Sequence, residues 1–118
     1  MGVGTLVSLQ PPPQYDVVPP VPVIERILSR EELQKVCGAI RAEGVKRVCG
    51  ALRGEESQKA CVVHYQLGPG EWFRGCTTPR AVRAATTVCL VYRIDDELVR
   101  RHEWAHCAGW PADHPGGK

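Results

Sequence analysis

The sequence predicts a small α+β domain, a short β-sheet packed against an N-terminal helix and a C-terminal helix. Three observations predict it. A capping box opens an apolar stripe near residue 30, β-branched and aromatic residues concentrate at 86–94, and a second capped stretch runs on to a glycine at 109. The 118 residues, 43% of them hydrophobic, suffice for one modest core, so a single domain is expected over 25–118, preceded by an arm over 1–24.

Within the arm, residues 10–24 read QPPPQYDVVPPVPVI. Prolines remove backbone donors and fix φ, which excludes a helix and a central strand. An extended, polyproline-like segment lying over the domain is expected, with a proline-binding protein partner as its other use. Ser29-Arg30-Glu31-Glu32 then fits a capping box, in which the Ser29 hydroxyl accepts from a free amide and Glu32 reaches back to the cap. Leu33, Val36, Cys37 and Ile40 recur on one face of the helix that follows, and Gly44 is its natural stop.

KVCGAIRAEG at 35–44 is echoed by RVCGALRGEE at 47–56, but two copies are too few for a repeat architecture. Val48, Ala51 and Leu52, the polar RGEESQK and the β-rich CVVHYQL predict a hairpin turning near Glu55. That register sets Cys49 opposite Cys61, within bridging range. GPGEWFRGCTTPR at 68–80 predicts a loop, and TTVCLVYRI at 86–94, apolar on both parities, a strand inside the sheet. The last helix starts at Asp95 or Asp96, runs through DELVRRHEWAHCA and stops at Gly109, with Trp110 and Pro111 preventing continuation.

The six cysteines favour disulfides and an oxidising setting, which means a periplasmic, extracellular or virion-associated protein. Beside Cys49 and Cys61, Cys76 could pair with Cys89 and Cys37 with Cys107, although spacing does not choose among the pairings. The absence of any C-x-x-C pair argues against a cysteine zinc site. A net charge of +2 is too small for the phosphate attraction of a nucleic-acid binder, and no apolar run is long enough to span a bilayer. The opening MGVGTLVSLQPPP has no basic stretch, so no secretion signal is expected in this chain; a leader already removed would leave the same sequence.

His102-Glu103-Trp104-Ala105-His106 is an H-E-x-x-H motif. Residues four apart share a helix face, so two imidazoles can reach one zinc ion (Zn2+) from adjacent turns. Glu103 falls beside them, where its carboxylate can hold an attacking water, take its proton and pass it to a leaving amine. A catalytic zinc takes three protein ligands and keeps one position open. Gly109 to Pro111 turn the chain back, so the third ligand is expected at His114 or Asp113. Nitrogen, the commoner donor, favours His114, with Asp113 then orienting a ligand imidazole.

An H-E-x-x-H also arises by chance on ordinary helices, and the capped helix, the following glycine and the further His and Asp are what add weight here. Tyr92, on the strand ahead of the helix, could stabilise an oxyanion, although a strand tyrosine is more often core. His64 is expected to be structural, Arg100 and Arg101 a solvated helix face, and Trp104 and Trp110 the packing of the helix onto the sheet. Cys107 is turned about 100° from His106 and suits a disulfide or packing.

The motif is that of the zincin metallopeptidases, and HEWAHCAGWPADHPG resembles the C-terminal HExxHCxGWPxDHPG signature of small bacterial and phage proteins. The resemblance covers residues 86–118. It implies a zincin-like domain with a small sheet behind the metal-binding helix, His102 and His106 as zinc ligands and Glu103 as the catalytic carboxylate. The chain departs from the metzincin pattern HExxHxxGxxH, because Ala112 occupies the last position. The expected function is zinc-dependent hydrolysis of a peptide or amide bond, with a peptide or protein substrate extended along a strand edge. The competing function is a non-catalytic virion or envelope component braced by zinc and disulfides.

Overall fold

The computed structural model describes residues 10–83 and 86–117. Strands β1 (Val23–Ile27), β2 (Gly75–Arg83) and β3 (Thr86–Arg93) form one sheet in the order β1-β3-β2. Helices α1 (Arg30–Gly50), α2 (Glu55–His64) and α3 (Glu97–Cys107) complete the small α+β domain. The central strand is β3, parallel to β1 and antiparallel to β2, as its apolar residues on both parities require.

Side chains alternate across a strand, so the two faces of β3 have different company. Cys89 is bridged to Cys107, and Val91 packs with both, which puts α3 on that face. Tyr92 is the register partner of Cys76, which is bridged to Cys37 of α1, so α1 covers part of the opposite face. The buried Leu33 and Cys37 are the centre of the stripe read from the sequence.

Local signals act at the helix starts. Ser29 Oγ accepts from the Glu32 amide at 3.3 Å, while the Glu32 carboxylate accepts from that same hydroxyl at 2.9 Å rather than from the cap's backbone. Gly44 does not stop α1. A helix tolerates an interior glycine at about 1 kcal/mol, and α1 runs on to Gly50.

The hairpin expected over 47–67 is a helical pair instead. Glu55 and Glu56 sit in the first turn of α2, where acidic groups favour the helix dipole, and Lys59 pairs with Glu55 at 3.1 Å. The Cys49–Cys61 bridge does form, between two helices rather than across a hairpin. Two further strands lie where the sequence predicted none. The first, β1, starts inside the proline-rich arm, and β2 takes up part of the expected loop. Both are edge strands, and an edge position accommodates Pro79, which has no N–H to give. The arm itself is not extended throughout, since the Tyr15 and Asp16 amides donate to the Pro12 and Pro13 carbonyls in turns.

The bridges are Cys37–Cys76, Cys49–Cys61 and Cys89–Cys107, which replaces the Cys76 with Cys89 and Cys37 with Cys107 alternative. Cys76 and Cys89 project to opposite faces of the sheet, so they cannot meet. Three disulfides place the chain in an oxidising, extracellular-type environment. No helix among the described residues is long and apolar enough to cross a membrane.

One buried charge ties β3 to β1 and α3. Arg93, 6% exposed, donates through Nε to Glu25 Oε1 at 2.6 Å, and Trp104 Nε1 donates to the same oxygen at 2.7 Å. The Arg93 guanidinium, opposed by desolvation and helped by the Trp104 bond, holds the Glu25 carboxyl below its ordinary value. This stabilisation is therefore complete above the unfolded carboxylate pKa of about 4.3 and is lost as pH falls through the depressed folded value. Glu25→Gln leaves a buried guanidinium without its counter-charge and is expected to cost about 3 kcal/mol at neutral pH. Denaturant melts across pH should show that deficit shrinking below about pH 4; a constant deficit would mean that lost packing, not charge, is responsible.

Candidate metal centre

Helix α3 is built by its ends. Asp96, one of the two expected caps, accepts from the Leu98 and Val99 amides at 2.8 and 3.2 Å. At the other end Trp110 N–H donates to the Ala105 carbonyl and Gly109 N–H to that of His106, a Schellman closure with Gly109 at φ 107°. The chain therefore reverses at Gly109 and returns along the helix. His114 arrives on this return with φ 58°, a left-handed conformation that costs a non-glycine residue about 1 kcal/mol.

The reversal brings three imidazoles together. His102 and His106 Nε2 are 3.2 Å apart, His106 and His114 Nε2 3.1 Å, and His114 and His102 Nε2 3.2 Å. Neutral rings can share Nε2–H···Nε2 bonds at such distances, but each bond uses only one lone pair, whereas a cation at their centre gives all three a partner. Tetrahedral zinc at about 2.0–2.1 Å from each nitrogen sets them roughly 3.3–3.4 Å apart, so this triangle fits that ion with a small expansion. His102, His106 and His114 form a group that could hold a metal ion.

Trp110 fixes the rings around this point. It is 2% exposed, stacks on His106 at 5.1 Å between centroids, and stands edge-on to His102 and His114 at 5.1 and 5.0 Å. Its backbone carbonyl accepts from His106 Nδ1 at 2.8 Å, which sets the tautomer that leaves Nε2 free for the centre. Its indole N–H donates to the Pro115 carbonyl at 2.9 Å and so holds the returning tail. Burial pushes the His106 and His114 pKa values down, which keeps both rings in the neutral form that ligates.

Glu103 is 5% exposed and lies under β2. Thr77 Oγ1 donates to Glu103 Oε1 at 2.6 Å, while Oε2 stands 3.8 Å from His102 Nε2. Burial raises its pKa to about 7, against the Thr77 bond, which lowers it. The strand can come this close because residue 75 is glycine. A Cβ there would lie 2.9 Å from Glu103 Cγ and 3.0 Å from Val99 Cγ1. The carboxylate is thus held with one oxygen anchored and the other turned to the imidazoles.

Of the two candidates for a third ligand, His114 joins the cluster and Asp113 does not. Asp113 is exposed and acts on His114 as a nearby negative charge. Tyr92, which the sequence offered as a possible oxyanion stabiliser, is on the far face of the sheet in a groove with Ile24, Val88, Leu90 and Arg80. Pleat parity turns it from α3. His64 ends α2, exposed and away from the cluster. Arg100 pairs with Glu97 on the solvated face, but Arg101 pairs with Asp16 of the arm. Trp104 packs α3 onto the sheet as expected, whereas Trp110 packs on the imidazoles. Thr77 and Gly75, which set Glu103, were missed because they lie in the segment that the sequence predicted as a loop. No family model, curated protein or solved structure matches the chain at a significant level.

Proposed function

We propose that the chain is a zinc-dependent hydrolase of peptide or amide bonds, a metallopeptidase of zincin type. The observation that carries this is the pairing of a three-imidazole triangle with a buried carboxylate oxygen 3.8 Å from His102 Nε2. Zinc, when bound, supplies Lewis-acid polarisation of a scissile carbonyl and of water. The protein's own groups do the rest. Glu103 Oε2 orients the attacking water and accepts its proton, with the pKa near 7 suited to taking and returning it at neutral pH. Thr77 holds the other oxygen so that the carboxylate does not rotate away. The edge strand β2 runs over Glu103 and offers its outer backbone to an extended peptide or protein substrate. The three disulfides support an exported setting for this enzyme, in the periplasm, the extracellular space or on a virion surface.

The three bridges also suit the second function, a non-catalytic virion or envelope component braced by zinc. The two separate in one experiment on the oxidised full chain. After chelation, Zn2+ titration should saturate at one ion per chain, and His106→Ala should abolish that site. A quenched peptide library should then be cleaved only by the zinc-loaded protein. Stoichiometric zinc without cleavage would favour the brace.

A further inference from the structure

The proline-rich arm has no part in the chemistry above, yet it lies on the one segment that the metal centre needs to be still. Pro11 and Pro12 are buried although they precede the first strand by ten residues or more. The arm meets the ligand-bearing tail at two glycines on either side of His114. A Cβ at Gly109 would lie 4.0 Å from Tyr15 Cε1, and one at Gly116 would lie 3.7 Å from Pro12 Cβ and Cγ. A third point falls on the helix. Asp16 accepts from Arg101 Nη2 and, at 3.4 Å, from Arg101 Nε, next to the ligand His102.

We infer that residues 11–16 are a positioning strap, which clamps the tail 109–117 onto α3 and so holds His114 in reach of His102 and His106. The inference rests on the metal-site proposal. The need for a clamp is visible in the tail itself. Within it, His114 N–H donates to the Pro111 carbonyl and Gly117 N–H to that of His114, both short-range turn bonds. Trp110 anchors the inner side of this segment through its packing on His102 and His106 and its bond to the Pro115 carbonyl, while the turns by themselves do not press its outer side down, and His114 holds a backbone conformation that a loosened chain would abandon. Contacts from the far end of the sequence supply what the turns lack. Gly109 and Gly116 hold positive φ, 107° and 73°, so the turns that carry the tail past Tyr15 and Pro12 use the residue that adopts them without strain. Outer groups that orient metal ligands are worth about 10- to 100-fold in affinity.

The test is a cycle of Zn2+ affinities on the oxidised full chain. Tyr15→Ala with Asp16→Asn should weaken zinc binding about tenfold in the otherwise native protein. The same pair should change affinity less than about twofold in a His114→Ala background, where there is no third imidazole to hold. Equal losses in both backgrounds, or no loss in the first, would overturn the strap. If His114→Ala binds zinc as tightly as the native chain, the strap falls together with the three-histidine site, a pattern distinct from the previous one. Asp16→Asn alone, with a thermal melt of the metal-free form, serves as the milder variant should the double substitution fail to fold.

Discussion

Glu103→Gln is expected to keep the zinc affinity of the native protein and to lose about 10²- to 10⁴-fold in peptide hydrolysis, the range a general base contributes. Glutamine matches the carboxylate in shape, and its carbonyl can still accept from Thr77, so the close approach of Gly75 is preserved. It is also neutral, the form that burial of this side chain favours, so folding should not suffer. The substitution removes the atom that receives the proton and little else. Zinc titration beside kcat measurement on the same preparation separates the outcomes. A brace would be indifferent to the change in both, and hydrolysis that survives it would remove Glu103 from the mechanism.

Reduction should unfold the chain and abolish the proposed zinc binding. The bridged cysteines are 39, 12 and 18 residues apart, and loops of such length contribute on the order of 3 kcal/mol each. A domain of this size has a total stability of about 5–15 kcal/mol, so losing all three leaves little or nothing. The bridges should not be equal at the site. Cys107 follows His106 of the imidazole cluster, and its bond to Cys89 fixes the C-terminal turn of α3 on the sheet. Replacing that pair by alanine should lower both the melting temperature and zinc affinity. Replacing Cys49 and Cys61 should lower stability and leave zinc affinity within about twofold, because α2 buries no residue and lies away from the cluster. Melts and zinc titrations of the two paired variants check the contrast. Equal losses of affinity would show that the site senses global stability and not the local bond.

The helix that carries the motif was legible because every device in it is local. Asp96 caps it, Gly109 ends it, and four-residue spacing sets His102 above His106. Strand β3 was legible for a similar reason, as a run of β-branched and aromatic residues between turn signals. The segment 47–67 misled because Val62 and Val63 have strand propensity, while the acidic first turn, an ion pair and a disulfide to α1 hold it helical. Twelve residues around a helix amount to about 120° of net rotation, so the echoed cysteines of α1 face different partners, Cys76 and Cys61. That period looked like a repeat and is instead a way to bridge in two directions.

The third imidazole of the cluster, the cysteine pairing and the setting of Glu103 belong to the tertiary structure. Asp113 and His114 are adjacent, and it is His114, at positive φ and against the Trp110 wall, that meets the other imidazoles, in a tail whose two glycines the arm touches. Those contacts join residues 12–16 to residues 101–116, and no local pattern encodes them. Short-range rules of helix spacing and capping therefore determined which residues are offered to a metal, and long-range packing decided which of them meet.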